Sequence, residues 1–181
     1  NALLIRLPGQ TFTDGSGISN SPNFTGLRSP DATAGTSFDV DIKAVDQYNN
    51  LVNSGPNNYT GSKTISWGDS VAGNAPDTTS PSFPATPITF TNGEANSQSI
   101  TYYNADTLRT VEIDDTGTTV DGTASSTFTV QANVAENYLV EPAATPQTAG
   151  GAFNVTVPAR DDWENNLGAL YSAPSGTYTW T

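Results

Sequence analysis

The chain has 181 residues and a formal net charge of −12, from 18 acidic and 6 basic residues. This balance argues against recognition of nucleic acid or of an anionic membrane through a basic patch. Cysteine and histidine are both absent, which excludes disulfides, Ser-His-Asp and Cys-His catalysis, and zinc sites built from these two residue types.

The predicted elements are short β-strands, beginning with the apolar segment at 3–7. Residues 38–44 alternate strictly, with apolar side chains at the even positions and charged side chains at the odd positions. A period of two is typical of a strand with one buried face. Further strands are predicted at 63–67, 87–90, 97–103, 107–114, 125–132, 137–142, 153–159 and 176–181.

Turn-forming clusters separate these segments. No stretch of the chain shows the ~3.6-residue apolar period of a helix. The Pro-, Ser- and Thr-rich stretch 70–87 is predicted to be a long surface loop. About seven short strands with turns at regular intervals predict an all-β fold, an antiparallel immunoglobulin-like β-sandwich with Greek-key connections. Trp67 supports this fold, because immunoglobulin-type sandwiches bury a tryptophan on the equivalent strand.

One segment of the chain occurs twice. Thr33–Asn50 aligns without a gap with Thr148–Asn165, at an offset of 115 residues (148 − 33). A period of this length matches one domain and is too long for a solenoid repeat. The sequence therefore predicts one complete domain at 1–132 and the N-terminal part of a second, homologous domain at 133–181.

The second domain is predicted to be incomplete, because three strands cannot close a sandwich. An open sheet edge would then expose its apolar side chains, which are Phe153, Val155, Val157 and Trp180. Two explanations are open. Either the sequence is a piece of a longer protein, or strands of a neighbouring copy complete the domain and give an open filament.

The motif residues of the first copy are Thr33, Ala34, Gly35, Phe38, Val40, Ala44, Asp46, Tyr48 and Asn50, and those of the second run from Thr148 to Asn165. This pattern resembles the B-strand region of tandem bacterial immunoglobulin-like (Big-type) repeats. The resemblance implies a large exported, adhesin-like protein located outside the cell or at its surface. It also implies partners, namely neighbouring domains or copies of the same protein and a surface glycan or protein ligand.

Paired carboxylates, as in glycoside hydrolases, are the remaining route to catalysis. The five glutamates lie at turns or predicted domain junctions, at positions 94, 112, 136, 141 and 164. No acidic pair has the apolar setting that would raise the pKa of one member, so we expect no enzymatic activity. No apolar run approaches the ~20 residues that a membrane span requires, so we also expect no membrane insertion.

Calcium is the metal that the acidic residues suit best, since it binds oxygen ligands from carboxylates, amides and carbonyls. The candidate ligands follow the repeated strand in each copy and are Asp46, Asn50, Asp161, Asp162 and Glu164. Their spacing differs from that of an EF-hand. The competing interpretation is that these side chains cap a turn through hydrogen bonds to the backbone.

Two further groups of residues are candidates for contact with sugars. Tyr48 and Trp163 occupy equivalent positions of the repeat, where they would serve either as stacking platforms or as packing residues. Sequons at Asn23, Asn58 and Asn154 mark candidate glycosylation sites.

Together these features predict a non-catalytic structural or adhesive domain of a cell-surface or extracellular-matrix protein, with end-to-end assembly. One alternative is a carbohydrate-binding accessory module of a secreted enzyme. Another is a filament subunit that polymerises by strand complementation.

Overall fold

A computed structural model describes residues 1–15, 24–69, 73–142, 148–152 and 155–168. Across these ranges the protein is all-β and contains no α-helix, as the sequence predicts. The same ranges hold no helix that is long and apolar enough to cross a membrane. In chain order the strands are β1 (Ala2–Arg6), β2 (Thr11–Phe12), β3 (Phe24–Thr25), β4 (Ala32–Thr33), β5 (Phe38–Val45), β6 (Gly61–Lys63), β7 (Ile65–Gly68), β8 (Ile88–Phe90), β9 (Glu94–Ile100), β10 (Asp106–Arg109), β11 (Glu112–Asp115), β12 (Asp121–Gly122), β13 (Phe128–Gln131), β14 (Asn137–Tyr138), β15 (Glu141–Pro142), β16 (Val155–Thr156) and β17 (Ala159–Arg160).

The longest strand, β5, lies inside a four-stranded mixed sheet with the order β12-β1-β5-β9. It is antiparallel to both β1 and β9, and β12 adds to the outer edge of β1 in parallel orientation. The predicted alternation holds in the first half of β5, where Val40 is buried and Asp39 is exposed. In the second half both faces are buried, and Lys43 forms an ion pair with Glu94 of β9.

Three smaller sheets have the orders β10-β13-β4, β11-β7 and β6-β8, and their buried side chains join one core cluster with those of the four-stranded sheet. The segments 63–67 and 107–114, each predicted as one strand, are both split between two of these sheets. Side chains replace ladder hydrogen bonds at the breaks: Thr86 Oγ1 accepts from Ile65 N–H at 3.1 Å, and Ser125 Oγ accepts from Val111 N–H at 2.9 Å. The open sheets of the described residues are consistent with a β-sandwich.

The core lies between the sheets and is aromatic at its centre. The Tyr102 ring centroid is 5.5 Å from that of Phe128, and Tyr102 Oη donates a 3.0 Å hydrogen bond to the Thr110 carbonyl. Trp67 is only partly buried and stacks on Phe83 at 5.8 Å, so it packs against the core without lying inside it. Fully buried aliphatic side chains around this centre are Leu3, Ile5, Val40, Ile42, Ile65, Ile100, Val111 and Val130.

The second copy of the repeated segment pairs with the strands that precede it, in the same register in which the first copy pairs with β1. β14 pairs with β17 and β15 pairs with β16, as β1 pairs with β5. The equivalent opposed pairs are Ala2–Val45 with Asn137–Arg160, and Arg6–Asp41 with Glu141–Thr156. The strand assignment is interrupted at 157–158, where the proline that lacks an N–H predicts an edge or a bulge. Leu139 N–H still donates to the Pro158 carbonyl at 3.1 Å.

The predicted apolar face of the second copy is seen where the structure describes it. Val155 is 44% exposed and Val157 is 38% exposed. Phe153 and Trp180, predicted to belong to the same face, lie outside the described residues, as does the predicted strand 176–181.

Candidate functional site: the repeated Asp-Asn turn and its seat

The first copy of the repeated segment ends in a turn that Asp46 organises. Asp46 Oδ1 accepts hydrogen bonds from the backbone N–H groups of Tyr48 (2.8 Å) and Asn50 (2.9 Å). The Asn50 side-chain amide donates to Asp46 Oδ2 at 2.9 Å, and Asn49 N–H donates to the Asp46 carbonyl at 3.0 Å. Four residues are thereby fixed by bonds made within the turn itself.

The second copy forms the same turn with the same bonds. Asp161 Oδ1 accepts from the N–H groups of Trp163 (3.0 Å) and Asn165 (2.9 Å), and the Asn165 amide donates to Asp161 Oδ2 at 2.9 Å. Glu164 N–H donates to the Asp161 carbonyl at 3.1 Å. The two turns therefore present their side chains in the same geometry, although only their first and last residues are identical.

Both turns need a left-handed backbone at the same position. Asn49 has φ of 64° and Glu164 has φ of 65°. Asparagine tolerates this region, whereas glutamate does so at a cost of about 1–2 kcal/mol. The Glu164 carboxylate accepts a 2.8 Å hydrogen bond from Arg160 Nη1, which holds the residue in place from the preceding strand.

The aspartate that begins each turn, Asp46 or Asp161, caps it through hydrogen bonds from backbone N–H groups. The hydrogen bond from the Asn50 side chain, helped by the N–H groups of Asn50 and Tyr48, holds the pKa of Asp46 below its usual value although slight burial opposes the shift. Asp162 is exposed, and Glu164 turns toward Arg160. Within the described ranges no group of three or more acidic side chains is placed to hold a metal ion. Calcium binding by these residues stays a prediction.

The two turns differ in their surroundings. Asp161 and Asn165 are 0% and 3% exposed, because the second turn packs against the first predicted domain. Asn165 Nδ2 donates to the Tyr103 carbonyl at 2.6 Å, and Ala105 N–H donates to Asn165 Oδ1 at 2.8 Å. Asn133 N–H donates to Asp161 Oδ2 at 3.0 Å. The Asn165 and Asp161 side chains, which close the turn, therefore also bind residues 103–105 and Asn133.

Trp163 completes this contact. Its ring lies 5.4 Å from the Tyr103 ring, and it covers Gly35 so closely that a Cβ at Gly35 would fall 1.8 Å from Trp163 Cη2. Gly35 has φ of +73°, and its N–H donates to the Tyr102 carbonyl at 2.8 Å. Only glycine fits here, on grounds of both space and backbone conformation. We call the surface formed by Gly35, Tyr103, Ala105 and Asn133 the seat.

Tyr48, the residue equivalent to Trp163, is 61% exposed. The two aromatic candidates are therefore used differently, since Trp163 is a packing residue and Tyr48 is accessible. The sequence left both roles open for the two residues and did not locate the seat. A signal was present in the recurrence of Thr-Ala-Gly, because Gly150 repeats the left-handed φ of Gly35 at +80°.

Of the three glycosylation candidates, the structure describes Asn58. Asn58 is partly buried, and its side-chain amide donates to Asn92 Oδ1 at 3.3 Å. A glycan on that nitrogen would replace one of its two hydrogens and leave the other for this bond. Asn23 and Asn154 lie outside the described residues.

A buried polar pair away from the turns serves the fold. Tyr59 Oη donates to Asp115 Oδ2, which also accepts from Thr118 Oγ1 at 2.8 Å. Burial and the Asp115 carboxylate raise the pKa of Tyr59. Burial alone would raise the pKa of Asp115, but hydrogen bonds from Tyr59, Thr118 and Gly117 outweigh it and lower that pKa. The pair is thus a buried neutral phenol on a carboxylate at the end of β11.

A second buried pair lies at the end of β10. Arg109, which is 0% exposed, binds Asp69 with a distance of 2.6 Å between Nη1 and Oδ2. Its guanidinium also lies 5.9 Å from the centre of the Tyr102 ring. Both partners sit against the aromatic core, so this ion pair joins the end of β7 to β10 and serves packing.

A scan against protein-family models gives no match to this chain, and no curated protein or solved structure matches it. The proposals below therefore start from the chain's own residues and geometry.

Proposed function

We propose that the protein is a non-catalytic structural or adhesive module of a cell-surface or extracellular-matrix protein, built from immunoglobulin-like Greek-key sandwiches that stack end to end. The observation that carries this proposal is the contact between the second turn and the seat. Domains within a chain move relative to one another by default, unless their interface is large and hydrophobic, so a small polar contact can fix them only through its directed hydrogen bonds. Here Asn165 makes two hydrogen bonds to the main chain of the first domain, and Asp161 accepts a third from Asn133 at the predicted domain boundary. The Trp163 ring adds its contact with Tyr103.

The chemistry of this contact favours a fixed geometry. The Asp161 and Asn165 side chains are almost fully buried, and each is hydrogen-bonded both within its turn and to the seat. Burial of such groups is tolerated only when their partners are in place. A displaced second copy would leave them with fewer partners, so intermediate positions are disfavoured.

Composition supports a place outside the cell and a non-catalytic role. The chain is acidic, lacks cysteine and methionine, and contains no histidine. It therefore lacks oxidation-prone sulfur, and it lacks the side chains on which Cys-His and Ser-His-Asp catalysis depend. The resemblance to bacterial immunoglobulin-like repeats points the same way.

Labelling of intact cells tests this proposal. An antibody raised against the full chain should stain intact producing cells or the material shed around them. Staining only after permeabilisation would overturn the assignment to the cell surface or matrix. A second measurement, small-angle scattering of the full chain, should give one elongated shape that Trp163→Ala makes broader and more variable.

A carbohydrate-binding accessory module is the alternative that exposed Tyr48 favours, since a tyrosine ring at a polar turn can stack on a sugar. Affinity electrophoresis in gels that contain soluble polysaccharides tests this role. Retardation that Tyr48→Ala removes and Leu108→Ala keeps would support it, because both side chains are 61% exposed.

A filament subunit is the alternative that the exposed apolar strands of the second copy favour. Three valines there are well exposed: Val140 at 49%, Val155 at 44% and Val157 at 38%. Val155 lies on β16, whose described partner is β15, and the other two are next to these strands. Electron micrographs over a range of concentrations test this role. Fibres that appear with rising concentration, and that Val155→Lys abolishes, would support strand complementation.

A further inference from the structure

We propose that the first turn, Asp46–Asn50 with Tyr48 at its tip, is a plug that docks into the seat of a preceding unit of the same kind. This inference rests on the proposed function, since it takes the stacking of the second copy on the first as the pattern for other junctions. It assigns a binding role to the exposed face of the first turn and names the surface that receives it.

The plug carries each group that the seat uses. Asp46, Tyr48 and Asn50 occupy the positions of Asp161, Trp163 and Asn165. The internal bonds of the two turns agree within 0.2 Å (2.8 Å against 3.0 Å at the largest difference). The plug therefore offers a carboxylate oxygen for the N–H of Asn133, an amide for the main chain of residues 103–105, and a ring for the glycine surface.

The plug is also accessible. Tyr48 is 61% exposed and Asn50 is exposed. Residues 14–15 lie beside the turn but bind its backbone, with Gly15 N–H donating to the Asn49 carbonyl at 3.0 Å. A Cβ at Gly15 would fall 2.7 Å from Asn50 Oδ1, so a larger residue at this position would crowd that oxygen.

Plug and seat lie at opposite ends of one strand. Gly35 precedes β5 and the plug follows it, and an eight-residue strand is about 27 Å long. Repetition of the same contact therefore generates a line of units with one polarity, which is a heterologous, head-to-tail arrangement. The second copy repeats the seat glycine as Gly150, and a Cβ there would meet no described atom within 4 Å. A further plug would find this glycine uncovered.

A tandem protein tests the inference, with residues 1–136 placed directly before residues 2–181. This join follows the register in which Asn137 takes the place of Ala2. Tyr48 of the following copy then stands where Trp163 stands in the natural chain. The readout is amide hydrogen exchange at Ala105 and Asn133 of the leading copy, with Val111 as a reference for a folded core.

We expect Ala105 and Asn133 of the leading copy to be protected as they are in the natural chain. Tyr48→Ala and Asn50→Ala in the following copy should each speed exchange at both amides by about tenfold or more, because the contact opens locally while the core stays closed. Leu108→Ala in the following copy is the matched control and should leave both amides unchanged.

The outcomes separate this inference from the function beneath it. Protection of Ala105 in the natural chain, together with free exchange in the tandem, would refute the plug and leave the stacked-unit function intact. Free exchange in the natural chain itself would overturn both. Should the tandem fail to fold, Trp163→Tyr in the natural chain still decides. Retained protection would show that tyrosine can fill the seat, and protection as poor as in Trp163→Ala would refute the inference.

Discussion

Replacement of Gly35 by alanine should expel Trp163 from the seat. The Cβ of alanine would stand 1.8 Å from Trp163 Cη2 and 2.3 Å from Cζ2, so the indole ring must leave its position. The hydrogen bonds of Asn165 to the main chain of residues 103–105 would be strained by the same movement, since both side chains belong to one turn.

The expected destabilisation has two parts. A left-handed φ of +73° costs an alanine about 1–2 kcal/mol relative to glycine. Loss of the partly buried indole contact adds about 1–2 kcal/mol, the lower end of the range for burying a large apolar side chain. The sum is about 2–4 kcal/mol. Gly150→Ala is the matched control, because it has φ of +80° and open space, so it should show only the backbone part.

Urea denaturation followed by circular dichroism gives the free energies of unfolding, and amide exchange at Ala105 shows whether the contact has opened. Gly35→Ala should lose both stability and protection, while Gly150→Ala should keep the protection of Ala105. Equal free-energy losses in the two variants, with Ala105 protected in both, would show that Trp163 does not depend on the seat glycine.

Three further predictions concern the core, acid stability and metals. Tyr102→Phe should destabilise the protein by about 1–2 kcal/mol, measured by urea denaturation, because the buried hydrogen bond from Tyr102 Oη to the Thr110 carbonyl is lost; an unchanged midpoint would contradict this. Because the pKa of Asp115 is lower in the folded than in the unfolded protein, its contribution is complete above about pH 4 and is lost as the pH falls through the folded value. Tyr59→Phe should therefore lower the thermal midpoint at pH 7 more than at pH 3, and equal losses at both would count against the pair. Chelation with EDTA should leave the thermal midpoint unchanged if the turn carboxylates act only as caps, whereas a fall that calcium reverses would establish metal binding.

The strands could be predicted from sequence where local alternation decides them. β5 follows from the period of residues 38–44, and its second copy follows from the repeat. The segments 63–67 and 107–114 could not be divided correctly, because their breaks depend on distant side chains. Thr86 satisfies the N–H of Ile65 and Ser125 satisfies that of Val111, from 21 and 14 residues away.

The site was predictable in the same partial way. The Asp and Asn residues after each repeated strand indicated a capped turn, since their bonds are local. The seat combines groups that no local pattern joins, because Tyr103 and Asn165 are 62 residues apart and Asn133 and Asp161 are 28 apart. The tertiary fold alone brings them together.

If units dock as proposed, the internal hydrogen bonding of the turn has a consequence for the order of assembly. Each turn is shaped before it meets any neighbour, so docking restricts only the Asn and aromatic side chains, at about 0.5–1.5 kcal/mol apiece. A unit newly released from the ribosome would already carry a finished connector, and the unit made before it would already present a folded receiving surface. In such an array each unit would fold and then dock on the unit before it, starting from the N-terminus. The time per unit would then be set by the folding of one unit and would not depend on the number of units.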